Sequence, residues 1–328
     1  SAGLRRSWGV RGGRGGVWGG ATAAALVAMI SVTDAAAADP ATLAGHVEFL
    51  ASLDPPRSFD HPDSLDRAAA YIADELAQAG WTTREQPFDV RGNTYRNIVA
   101  RRGPADAPRV VVGAHYDVHG DLPGADDNAS GVAVLIELAR ALRGYEPAVG
   151  LELVAYTLEE QPAFSLNAMG SGHHADELLA AGVEVRAMLA LEMLGYFRDL
   201  PGTQRFPVPG LGWWYPTTGN FVGLIGRWQD RPLMQQVQAA MRTGGEVPVH
   251  YLASPLDFPG LDNSDHRNYW PHGWPAAMVT DTAYYRNPNY HTRFDIPGTL
   301  DYQRMAALVP ALAAAVRSLT QTEESSSP

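Results

Sequence analysis

The sequence predicts an α/β fold, a mixed and mostly parallel β-sheet with helices packed on its faces, and three observations carry that prediction. Short apolar runs, VVVG at 110–113, LELVAYT at 151–157 and MLALEML at 188–194, are too brief for ordinary helices and suit buried strands. Segments with helical spacing, such as 129–142 and 169–181, fall between them. Polar residues gather where the runs end: His115-Tyr116-Asp117, Glu159-Glu160 and Glu192. Ligands of open α/β sheets bind at that carboxyl edge. With 328 residues, 45% of them apolar and 9% aromatic, the chain has ample material for one large catalytic domain, expected over 39–322.

Residues 1–38 stand apart. Arg5, Arg6, Arg11 and Arg14 precede an apolar stretch near 21–32, and Ala36-Ala37-Ala38 follows, which is the order of a secretory signal. The apolar stretch is short of the ~20 residues that a membrane span needs. The mature chain is therefore expected to begin at Asp39 and to be exported, to the periplasm or the outside, with no stable membrane span.

Two helices come next, at 41–53 and 62–80. In the second, Leu65, Ala68, Ala69, Ile72 and Leu76 recur at helical spacing and Gly80 is a natural stop. Residues 81–90 and 96–102 read as antiparallel edge strands before 110–113 enters the centre. A helix at 129–142 lies behind the Asp126-Asp127-Asn128 turn and serves core packing. The helix at 169–181 carries His173 and His174, expected as solvated surface residues. Residues 198–216 hold Pro201, Pro207, Pro209, Trp213, Trp214 and Tyr215 and read as a loop walling the cleft. A buried strand at 220–226 and a helix at 232–243 follow. Ser264 or Asp265 suits a helix N-cap. The last helix, 301–319, has Tyr302, Met305, Leu308 and Leu312 on one face, and 323–328 reads as a disordered tail.

The residues at the run ends suggest metal chemistry. His115 and one of Asp126 and Asp127 supply the nitrogen and oxygen ligands that Zn²⁺ accepts, and Asp117 can orient the imidazole. Adjacent residues at a strand end point to different sides, so one of Glu159 and Glu160 can bind metal while the other handles a proton. Glu192 lies in a run that otherwise reads as buried, and carboxylates are rarely buried without a cation or another partner. His291 is delivered by a Tyr- and Asn-rich segment, VTDTAYYRNPNYHT at 279–292.

Six pieces in order, HYD, ADDNASG, EE, LEMLGY, NSDH and TDTAYYRNPNYHT, resemble the family of co-catalytic dizinc exopeptidases that contains the bacterial leucyl aminopeptidases. Glutaminyl cyclases are similar to it. The resemblance runs from about Pro40 to the C-terminal helix and implies a three-layer sandwich holding two Zn²⁺ per chain. It implies that His115 binds one zinc, and that Asp127, three residues before Ser130, bridges both. Glu192 would share the metal of His115, while Glu160 and His291 would hold the other. Glu159 would be the general base, Asp117 would orient His115, and Tyr290 matches a tyrosine that donates to the oxyanion. Asp265 would sit beside Glu159 in a proton network. Many members have Asp where this chain has Glu192.

The expected function is release of N-terminal residues from a peptide or small amino-acyl substrate. Three alternatives stand beside it. A glutaminyl cyclase is one, although those enzymes usually have Trp at the position of Tyr290. A carboxypeptidase or dipeptidase is another, with Arg286 reading a substrate carboxylate. A non-enzymatic relative would be expected to lack ligands or base, and none is missing here.

Composition narrows the field further. The formal charge is −11, and would be −14 without residues 1–38, from 21 basic and 35 acidic residues. That is no profile for nucleic-acid binding. The absence of cysteine excludes disulfides, thiolate catalysis and Cys-bound zinc, leaving His, Asp and Glu as ligands.

Overall fold

The computed structural model describes residues 38–321; the expected signal at 1–38, save its last residue, and the tail at 323–328 lie outside them. Helix α1 (Pro40–Ala51) begins where Asp39 accepts a hydrogen bond from the Ala41 amide at 3.2 Å, with Pro40 in the first turn. Helix α2 (Pro62–Gln78) follows, buried along Leu65, Ala68, Ala69, Ile72 and Leu76, the stripe expected from the sequence.

Eight strands form one sheet: β1 (Thr82–Val90), β2 (Asn93–Arg102), β3 (Arg109–His115), β4 (Gly150–Tyr156), β5 (Val185–Glu192), β6 (Val222–Arg227), β7 (Val249–Ser254) and β8 (Ala276–Thr280). Their spatial order is β1-β2-β4-β3-β5-β8-β6-β7. The central four, β4, β3, β5 and β8, are mutually parallel. The β1–β2 hairpin joins β4 antiparallel, and β6 meets β8 antiparallel, so the sheet is mixed as expected. Strand β7, paired with β6 along one side, has no counterpart in the sequence reading. Its VHYLAS is short and only half-buried, so it lacks the apolar run that marks the central strands.

Alternation on the pleat shows why the central runs are apolar throughout. Val110, Val112 and Ala114 face the large core built with α1, α2, α3 (Gly131–Ala141), α5 (Arg231–Gly244) and α6 (Tyr302–Thr320). Val111 faces a smaller core on the opposite side, with α4 (Gly170–Ala180) and the turns at 265–272. Met188 and Ala190 of β5 join that second core, while Ala187, Leu189 and Leu191 join the first. Each buried Val, Leu or Met among these contributes roughly 1.5–3 kcal/mol. Gly113 is glycine because the Tyr156 ring crosses it: a Cβ there would lie 2.1 Å from the ring.

That crossing carries Tyr156 to a buried chain of polar groups and corrects one expectation. His174 is fully buried, not solvated. Its Nδ1 lies 2.7 Å from the Tyr269 hydroxyl, which in turn lies 2.7 Å from that of Tyr156, and its Nε2 is 3.1 Å from Glu152. His173 is half-buried and stacks on Phe88. The helical spacing of α4 was legible, whereas the layer covering it comes from residues about a hundred positions later.

Among the described residues no helix is long and apolar enough to cross a membrane.

Candidate metal centre

Four adjacent strand ends deliver the expected residues to one place. His115 closes β3, Glu159-Glu160 follow β4, Glu192 closes β5, and His291 comes from the segment after β8. Neighbouring parallel strands hold β3 and β5 in register, which brings His115 Nε2 to 3.4 Å from Glu192 Oε2.

Asp127 stands between two groups. Its Oδ1 is 3.4 Å from His115 Nε2 and its Oδ2 is 3.0 Å from His291 Nε2, while His291 Nε2 is also 3.0 Å from Glu160 Oε1. Donor atoms of His115, Asp127 and Glu192 lie within 4.8 Å of one another, and so do those of His119, Glu160 and His291. The first three are fully buried.

Local structure selects Asp127 over Asp126. A π-type turn, Ala125–Ser130, precedes α3, so the expected helix at 129–142 starts later, at Gly131. Gly124 enters this turn at φ 59°, and a Cβ there would lie 2.3 Å from the Asp127 carbonyl. Asp126 turns inward, accepting from the Gly195 amide at 2.9 Å, Ser130 Oγ at 3.1 Å and Asn287 Nδ2 at 2.6 Å. Burial, with the charge of Asp281 beside it, pushes its pKa well above the usual carboxylate range. Burial also works against ionised Asp127, but His115 and His291 outweigh it and hold that carboxyl below the usual range.

Asp117 does more than expected. Its Oδ1 is 3.4 Å from His115 Nδ1, and its two oxygens accept from the amides of Glu159 and Glu160, each at 3.0 Å. One carboxylate thus sets the first imidazole and both glutamates. Glu159 Oε2 lies 3.9 Å from His115 Nε2. Burial raises the Glu159 pKa well above the usual range; Glu160, Glu192 and Asp265 add to this and His115 opposes it. A carboxyl tuned upward suits a general base working near neutral pH.

Asp265 is brought close enough for its charge to act on Glu159, but no hydrogen bond joins the two, and neither oxygen of Asp265 has a hydrogen-bond partner. Burial pushes it up to about 7, with Glu192 and Asp117 adding and His115 opposing. Ser264 takes the N-cap position of the short 3₁₀ turn 265–268, as expected of it or Asp265, but its hydroxyl caps nothing: Ser264 Oγ donates to Glu192 Oε2 at 2.6 Å. Tyr290 stacks on His291, with ring centroids 3.8 Å apart, and lines the adjacent cavity. Arg286 does not face the cleft's solvent. It is buried, donating to Gln204 Oε1 at 2.8 Å and lying over Phe221, so the expected role in reading a substrate carboxylate gives way to a structural one.

Several supporting residues escape sequence reading. Asp295 accepts from the amides of Asp126 at 2.8 Å and Asp127 at 3.0 Å, latching the turn. Asn128 ties the same turn to β5, donating to the Leu191 carbonyl and accepting from the amides of Met193 and Gly131. Arg57, fully buried, donates to the carbonyls of Leu50, Pro123 and Gly124. Asp295 lies three residues past the quoted motif run, so a carboxylate following the His291 loop was the available signal. Arg57 had none.

The donor set fits a cation. Nine carboxylates, Asp117, Asp126, Asp127, Glu159, Glu160, Glu192, Asp265, Asp281 and Asp295, are buried around this point. Burying so much negative charge is costly unless cations answer it. Neither ring nitrogen of His115 has a hydrogen-bond partner, although both are buried. Burial disfavours its charge, yet Glu192 and Glu159 push its pKa well above the ordinary value, so the surrounding carboxylates favour positive charge at this point. The centre opens onto a cleft lined by Glu192, Tyr290 and many apolar and aromatic groups, Phe206, Tyr215, Phe221 and Ile225 among them.

An α/β sheet carrying this His and carboxylate set at its carboxyl edge defines a hydrolase-type metal centre. The chain belongs to peptidase family M28, whose family model matches residues 97–316. It is 44% identical over 280 residues to the uncharacterized protein YfbL of Escherichia coli (strain K12), covering 83% of this chain and 86% of that one. A probable leucine aminopeptidase of Arthroderma otae is 26% identical over 223 residues, 64% of this chain and 53% of that protein, about half its length. Among solved structures, the LapA aminopeptidase of Legionella pneumophila superposes with a TM-score of 0.68 at 21% identity, over 87% of this chain and 73% of its own. A glutaminyl cyclase of Fimbriiglobus ruber gives 0.64 at 18%, over 85% and 95%. Both show the shared fold.

Proposed function

We propose that this chain is a dizinc aminopeptidase that removes N-terminal residues with large apolar side chains from peptides. The observation that carries the reading is the placement of Asp127, one oxygen toward His115 and Glu192 and the other toward His291 and Glu160, with Glu159 alongside. His115, Glu192 and Asp127 would hold one zinc; Asp127, Glu160 and His291 would hold the other. Bound there, the two ions would lower the pKa of a shared water and polarise the scissile carbonyl.

The chain's own groups supply the rest. Glu159 accepts a proton from the attacking water as the water oxygen bonds to the carbonyl carbon, then returns it to the leaving nitrogen as the C–N bond breaks. Tyr290, at the boundary between metal centre and cavity, donates a hydrogen bond from its hydroxyl to the developing oxyanion. Burial, with the nearby carboxylates adding to it, raises the Tyr290 pKa, so the phenol keeps the proton it donates. The apolar cavity receives the N-terminal side chain, and the outer cluster lies where a free amine can approach. The basic, apolar and small-residue order of 1–38 supports action outside the cytoplasm. The cyclase reading is weaker because Tyr290 stands where cyclases usually have Trp.

The test uses zinc-supplied protein, wild type and Glu159→Gln, on peptides with free or acetylated N-termini. Trimming of free-amine peptides with N-terminal Leu or Phe is expected, with a loss of about 10²–10⁴-fold in the variant at unchanged zinc content. Equal cleavage of acetylated peptides would remove the amine-recognition step. Ammonia release from N-terminal Gln without hydrolysis would replace the aminopeptidase with a cyclase.

A further inference from the structure

His119 is the one member of the two donor clusters that neither the ordered motifs nor the proposed mechanism uses. It sits four residues after His115, on the loop between β3 and the Ala125–Ser130 turn. The loop is pinned just before it, where the Val118 amide donates to the Arg57 carbonyl at 3.0 Å. The His119 ring lies flat on that of His291, centroids 4.1 Å apart and planes 9° apart. Its Nδ1 is 3.4 Å from Glu160 Oε2. Although 39% of the side chain is exposed, that nitrogen is buried and has no hydrogen-bond partner. The ring therefore shows solvent one edge and aims an unsatisfied donor atom at the Glu160 and His291 ligand atoms. The ring lines a small cleft together with Asp127, His291 and Asp295.

We infer that His119 is an additional protein ligand of the outer metal, which is then held by Asp127, Glu160, His291 and His119. The inference rests on the two-metal reading above. The inner site keeps three protein ligands, the number typical of a catalytic zinc with a position open for water or substrate. The outer site would have four protein ligands besides the shared water, so an incoming α-amine would displace His119. The exposed edge of the ring gives it room to swing outward, so His119 acts as a resident ligand that guards the outer metal between turnovers.

Wild type, His119→Phe and His119→Ala separate this role from packing. Phe keeps a ring to stack on His291 but has no nitrogen, and Ala removes both. Zinc affinity is measured by competition with a chromophoric chelator, and imidazole ligation by X-ray absorption at the zinc edge. Two zincs are expected in the wild type, with three imidazoles shared between them. Both variants should keep the inner zinc and weaken the outer one by about 10–100-fold or more, and the imidazoles should fall to two. Unchanged imidazole ligation in both variants overturns the assignment. So does a loss confined to Ala, which would make His119 a packing partner of His291. A wild type that binds one zinc instead sinks the two-metal reading, a result distinct from either.

Discussion

The inner and outer halves of the centre use the same donor chemistry in different mechanical settings. His115 and Glu192 end adjacent strands of a parallel ladder, their side chains 1% and 7% exposed, with Asp117 3.4 Å from His115 and Ser264 donating to Glu192. His291 and His119 come from loops, their side chains 26% and 39% exposed. The sheet's own hydrogen bonds fix the inner ligands. The outer imidazoles depend on stacking between rings. A metal held by strand ends should exchange slowly, and one held by loops should exchange readily.

The sharpest way to break this contrast is Asp127→Ala, because both halves use that carboxylate. Zinc content measured after dialysis should fall toward zero, with loss of affinity beyond the ~10–100-fold typical of a supporting residue. An Asp127 variant that retained one tightly held zinc would show that the halves are independent. His291→Ala should be more selective. It should remove the outer zinc and leave the inner one with wild-type affinity, and stepwise chelation of the wild type should release the outer ion first. Release in the opposite order would reverse the assignment of rigid and exchangeable halves.

Acid should reach the inner half through the turn that carries Ser264 and Asp265. His266 is fully buried there, donating Nε2 to the Leu261 carbonyl at 2.9 Å, with its ring edge on Trp270. Burial pushes its pKa down to about 4, against the pull of that carbonyl, Asp262 and Asp230, while Arg267 acts with burial. The unfolded chain, with a His pKa of about 6.5, binds the proton first as pH falls. The stability that His266 contributes is therefore complete above that value and drains away down to about pH 4, by about 3 kcal/mol in all. Denaturant midpoints of metal-free wild type and His266→Gln between pH 7 and 4 check this. Equal slopes in the two proteins would clear His266 of the effect. The smallest change is Ser264→Ala, which removes the hydroxyl from Glu192. Inner zinc affinity should weaken about tenfold while the outer site is unmoved.

Legibility in the sequence followed the same division. The inner half could be read because its ligands interrupt apolar runs, where a carboxylate or imidazole is conspicuous. His291 and Tyr290 could be placed by resemblance to a known motif, but His119 could not. Ser264 reads as a cap because local spacing describes a turn and says nothing of the strand end waiting beside it. His174 reads as exposed for a similar reason: helical periodicity names a face, not what covers it. Arg57 is the limiting case, a lone guanidinium between two helices whose partners lie 66 and 67 residues onward. Strand β7 was missed because a half-buried edge strand leaves a weak pattern.

The wide spacing of the ligands along the chain also bears on assembly. Glu160 and His291 are 131 residues apart, and Asp126 meets its latch Asp295 across 169. Each ligand hangs from a different strand or its following loop, so no continuous stretch of the polypeptide can bind the ions with its full set. Closing such long loops has an entropic cost that the packed sheet must meet before the donors converge. On the two-metal reading, loading would therefore follow folding, and the ions would lock a finished scaffold in place of seeding it.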